Sequence, residues 1–87
     1  MKIWALTRKN NKIVLDQIFE NSEEHFEAIT ELINIACDEF DIGKPLMLSK
    51  NDDELLSFRR TVFYPADFIE PINFDTLEIE IIEEKEK

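Results

Sequence analysis

KIWALTRK-NN-KIVLDQIF, residues 2–19, is the stretch that decides the fold. Two runs rich in Ile, Val, Leu and Trp flank Asn10-Asn11, and asparagine accepts the positive φ angles of a two-residue hairpin turn more readily than most side chains do. The reading is an N-terminal antiparallel β-hairpin. If the loop is those two residues, Arg8 faces Ile13, Leu6 faces Leu15 and Trp4 faces Gln17. That register puts Trp4, Leu6, Ile13, Leu15 and Phe19 on the expected core face. The other side carries Ile3, Ala5, Thr7, Val14, Asp16 and Ile18, too apolar for a fully wet surface yet interrupted by a carboxylate.

Beyond the hairpin, Asn21 or Ser22 is placed to cap a helix, and Asn21 with Glu24 has the spacing of a capping box. The helix is expected to reach Phe40. At 100° per residue, Phe26, Ile29, Ile33, Ala36, Cys37 and Phe40 share one side with Leu32 at its edge, the stripe of a helix lying on a sheet. Gly43 and Pro45 are the expected stop. Leu46, Met47 and Leu48 suggest a third strand. Asn51 and Glu54 then repeat the capping-box spacing ahead of a short second helix holding Leu55, Leu56 and Phe58. Residues 61–64 read as a fourth strand stopped by Pro65, and residues 66–75 as an ordered loop or single turn. Leu77 to Ile81 alternates strictly, which gives a last strand one buried and one acidic face. The fold class expected is therefore α+β, a two-layer sandwich. Its N-terminal hairpin belongs to a mostly antiparallel sheet of four to five strands, with a long helix packed on it and a short second helix nearby. Residues 1–82 form the single domain, and 83–87 a frayed acidic tail.

Charge is the strongest compositional signal. Twenty Asp and Glu against ten Lys and Arg leave −10 over 87 residues, which opposes binding to nucleic acid or to an anionic membrane. Six acids and no Lys or Arg occupy residues 21–40. Glu27, Glu31 and Asp38, with Asn34 among them, fall on the outward side of the first helix and make a negative wall. Only four apolar residues, Ile3 to Leu6, follow Met1 and Lys2, and no run approaches the length of a membrane span. The expected location is cytoplasmic.

Chemistry has little foothold. His25 and Cys37 lie about 18 Å apart along one helix and on different sides, so they form no dyad. Cys37 reads as a small buried apolar residue. One His and one Cys leave a zinc site short of nitrogen and sulfur ligands, and a straight helix does not converge carboxylates on calcium or magnesium. One Gly leaves no phosphate-cradling loop. No catalytic residue, cofactor or metal ligand is therefore assigned. Arg59 and Arg60, beside Lys50 and Ser57, are the basic cluster outside the hairpin. They end a helix favourably and can pair with Asp67 or Glu70, or else anchor an acidic group of a partner.

The run from Lys44-Pro45-Leu46 through Phe58, Arg60-Thr61, Phe63, Phe68-Ile69-Glu70, Ile72, Phe74-Asp75 and Leu77-Glu78-Ile79-Glu80 resembles a family of short bacterial proteins of Firmicutes. No substrate, cofactor or partner is assigned to that family. The resemblance implies a shared fold and no activity, and Cys37 and Arg59 lie outside the family's pattern. The functional expectation is a non-catalytic interaction or accessory module that turns Glu27, Glu31 and Asp38, or Arg59 and Arg60, toward a partner, foremost a basic protein. The competing readings are an acidic inhibitor that mimics nucleic acid in a basic cleft, and a small carboxylate enzyme or metal-binding protein.

Overall fold

The computed structural model describes residues 1–23 and 25–82, so the tail expected over 83–87 lies outside the described residues. Strands β1 (Lys2–Lys9) and β2 (Lys12–Glu20) are followed by helices α1 (Ala28–Phe40) and α2 (Ser49–Phe58), then by strands β3 (Arg60–Phe63) and β4 (Thr76–Ile82). The strands form one antiparallel sheet in the order β2-β1-β4-β3. Ile29, Leu32, Ile33, Ala36 and Cys37 of α1 and Leu55 of α2 share one core with Ile3, Ala5, Phe19, Phe63, Leu77, Ile79 and Ile81. Both helices thus lie on the same side of the sheet, and the α+β two-layer sandwich is the fold observed.

The hairpin turns where expected, with φ of 55° at Asn10 and 66° at Asn11. Its register does not run as expected. Arg8 faces Ile13, but a β-bulge then inserts Val14, so that Thr7 faces Leu15, Leu6 faces Asp16 and Trp4 faces Ile18. A slip of one residue exchanges the two faces of a strand. The core under the helices therefore receives Ile3 and Ala5, with Thr7 beside them, while Trp4, Leu6 and Ile13 turn to the other face, where Leu6 is nonetheless buried at 2% exposure. Leu15, expected in the core, is 43% exposed at the edge, and Phe19 alone of β2 is buried. Strand β4 accounts for the choice: its buried Leu77, Ile79 and Ile81 face Thr7, Ala5 and Ile3 across the ladder.

Helix α1 begins at Ala28, later than Asn21 or Ser22 would have it. The Asn21 side chain closes a turn instead, accepting from the Glu23 N–H at 3.2 Å. The apolar stripe is as expected, with Leu32 fully buried and Phe26 and Phe40 half-buried. The stop comes before Gly43: Asp41 takes a left-handed conformation (φ 59°, ψ 47°), its N–H bonds the Asp38 carbonyl, and the Ile42 N–H reaches Cys37 at 3.0 Å. No third strand forms over residues 46–48. That segment makes a single bridge, Pro45 to Phe68, and one bond from the Leu46 N–H to the Asp67 carbonyl at 2.8 Å. Helix α2 starts at Ser49, so Asn51 lies inside its first turn and bonds back to the Leu48 N–H at 3.0 Å.

Candidate interaction surfaces

The outward side of α1 carries Glu27, Glu31 and Asp38, all exposed, because the 3.6-residue period that sinks Ile29, Leu32, Ile33 and Ala36 turns these positions to solvent. The Glu27 and Asp38 side chains are 85% and 71% exposed. Asp38 accepts from Lys44 Nζ at 2.9 Å, and that contact raises the lysine pKa. His25 lies between two carboxylates, 2.9 Å from Glu23 and 3.2 Å from Glu27. No basic residue stands in the last turn of α1, where the helix dipole disfavours Asp38 and Glu39.

Arg59 and Arg60 are adjacent in sequence but do different work. Arg59 ends α2 in a left-handed conformation (φ 63°), its N–H bonding the Leu55 carbonyl at 3.1 Å and its carbonyl accepting from the Ile81 N–H at 2.8 Å. This turn feeds the chain from α2 into β3. Arg60 extends over the helix-free face of the sheet to Glu78 Oε1 at 3.2 Å, while Arg8 Nε reaches the other Glu78 oxygen at 2.7 Å. Arg60 thus pairs with Glu78 rather than with Asp67 or Glu70. Asp67 is buried and accepts from the Tyr64 N–H at 2.8 Å.

Between α2 and the free edge of β3 lies a groove of about 340 Å³ that the sequence reading did not anticipate. Lys50, Glu54 and Phe58, each four residues from the next, form one stripe of α2, and Arg60, Val62 and Tyr64, each two apart, stand along the strand. Those two spacings were the available signal, but they become a wall and a floor only once α2 is folded against β3. A chain of buried hydrogen bonds holds them together: Asn51 Nδ2 donates to Thr61 Oγ1 at 2.9 Å, and Thr61 Oγ1 donates to Glu54 Oε1 at 2.6 Å. Phe58 is 72% and Tyr64 52% exposed. Lys50 Nζ lies 6.0 Å from the centre of the Tyr64 ring.

Cys37 is fully buried, and loss of solvation there pushes its thiol pKa up to about 11, which keeps it protonated and unreactive at neutral pH. Among the described residues no three His, Cys, Asp or Glu side chains converge as a metal site, and no helix is long and apolar enough to cross a membrane. Comparison of the chain with protein-family models, with curated proteins and with solved structures finds no match in any of the three.

Proposed function

We propose that this chain is a non-catalytic interaction module whose acidic α1 wall attracts a basic protein partner. The observation that carries this reading is the placement of Glu27, Glu31 and Asp38 along one exposed side of a rigidly packed helix, where Lys44 pairs with Asp38. A fixed row of like charges creates a potential that speeds encounter with an oppositely charged surface and loses force as salt rises. The acids at the C-terminal end of α1 support the same reading, since they stand where the helix dipole opposes them.

The test is reversal of all three residues, Glu27→Lys, Glu31→Lys and Asp38→Lys, with circular dichroism as the check on folding. Immobilised wild-type protein is expected to retain Lys- and Arg-rich proteins from its own cell extract at low salt and release them at high salt, and the triple variant to retain none of them. Retention of the same proteins by a folded triple variant would reduce the wall to a solvated face. Release of the retained proteins by added DNA would instead favour the mimic of nucleic acid.

A further inference from the structure

The edge of β3 is open. The Ile81 N–H bond to the Arg59 carbonyl sets the phase of the β3–β4 ladder, because in an antiparallel pair the residues bonded to the neighbour alternate with residues whose backbone groups point away. Thr61 and Phe63 share the phase of Arg59 and face β4. The N–H and C=O groups of Arg60 and Val62 therefore point outward, and β3 is the last strand of the sheet on that side. At Tyr64 the edge closes, since its N–H bonds Asp67 Oδ2 and its carbonyl accepts from the Asp67 N–H, each at 2.8 Å. Two residues thus offer four backbone groups that, among the described residues, have no partner, at the groove flanked by the Lys50–Glu54–Phe58 stripe of α2.

The side chains around that edge specify an occupant. Phe58, Val62 and Tyr64 make an apolar seat. Of the charged groups, Arg60 is engaged by Glu78 and Glu54 by the Thr61 hydroxyl. Lys50 rests over the Tyr64 ring and, among the described residues, makes no ion pair. The groove is thus apolar, and the Lys50 ammonium is, among the described residues, its one charged group not already bonded to another side chain.

From these observations we infer that the β3 edge takes up an extended peptide segment as an added strand, with an apolar side chain seated on Phe58, Val62 and Tyr64 and a neighbouring carboxylate paired to Lys50. Main-chain hydrogen bonds to Arg60 and Val62 supply part of the affinity, and the seat and the ammonium select the sequence. This goes beyond the acidic wall of α1, which lies on a different element and attracts the opposite charge, so the two readings fail separately.

The probes are N-acetylated, C-amidated heptapeptides in which Val, Leu, Ile or Phe alternates with aspartate, and counterparts with lysine in place of aspartate. They are titrated into ¹⁵N-labelled protein. At least one acidic peptide is expected to bind more tightly than roughly 1 mM, to shift the amides of Phe58, Arg60 and Val62, and to slow hydrogen exchange at Arg60 and Val62. Its lysine counterpart is expected to bind about tenfold more weakly, and Lys50→Glu to reverse that preference. Val62→Pro removes an outward N–H at an edge, where proline is compatible with a strand, and is expected to keep the fold and lose binding. A peptide N-methylated at alternate residues, which cannot pair as a strand, is expected to lose binding to the unaltered protein. The inference is overturned if no acidic peptide binds, if N-methylated and lysine peptides bind equally well, or if the shifts fall outside the groove. It is also overturned if the protein alone sediments as a dimer with Arg60 and Val62 already protected, because the edge would then belong to a second copy.

Discussion

The two helices lie on one side of one sheet, yet they are held there by different chemistry. Helix α1 buries Ala28, Ile29, Leu32, Ile33, Ala36 and Cys37, and the Phe40 ring meets Phe19 edge-on at 5.9 Å. Helix α2 buries only Leu55 and the polar Asn51, leaving Leu56 and Phe58 in solvent. Its attachment to β3 runs through Asn51, Thr61 and Glu54. A dry apolar stripe is tolerant in direction and large in energy, whereas a buried polar chain contributes less net free energy but allows few arrangements. The difference separates what anchors the domain from what shapes its groove.

The comparison breaks most plainly at Leu32, buried in the core at 1% exposure. Leu32→Ala is expected to lower stability by about 3 kcal/mol in urea unfolding, since the transfer and cavity costs add. At α2, Asn51→Leu leaves the Leu48 N–H without its acceptor and Thr61 without a donor, at an expected cost of about 2 kcal/mol. If the second loss equalled or exceeded the first, the distinction between the helices would fall. Amide exchange sharpens it further, because Asn51→Leu should expose α2 and β3 to exchange before α1.

Cys37 tests the dryness of the α1 interface by pH. Its folded pKa of about 11 lies above the ordinary thiol value of 9.0, so the unfolded chain loses the proton first. Stability contributed by the neutral thiol is present below about pH 9 and is lost as pH rises toward 11, by up to roughly 2 kcal/mol. Cys37→Ala is expected to flatten that part of the stability profile, measured as the difference between variant and wild type. Rapid labelling of native Cys37 by a bulky thiol reagent at neutral pH would show the interface to be open.

The smallest effect concerns the charge that surrounds both helices. With −10 on one small domain, the melting temperature is expected to rise by a few degrees between about 0.02 and 0.5 M NaCl as repulsion is screened. A fall would mean that contacts such as Arg8–Glu78 and Asp38–Lys44 outweigh the repulsion.

The parts of the fold legible in the chain were those where a local pattern has one physical solution. The alternation of residues 77–81 and the period that joins Ile29, Ile33, Ala36 and Cys37 can each bury one face only, and Asn10-Asn11 suits a left-handed turn. The acidic wall was legible for the same reason, since what the period turns inward it also turns outward. The groove was not, because Phe58 and Tyr64 read only as members of a short helix and of a strand until α2 is placed on β3. The hairpin shows where local pattern stops deciding. Both of its faces are apolar, so no residue of 2–19 prefers one side strongly, and two helices on one side of the sheet can cover only one face. The choice fell to the pairing of β1 with β4, where Leu77, Ile79 and Ile81 draw Thr7, Ala5 and Ile3 into the core, and to the extra residue Val14 that lets β2 follow. Ladder partners some 70 positions apart in the chain set that register, and no reading of neighbouring residues contains them.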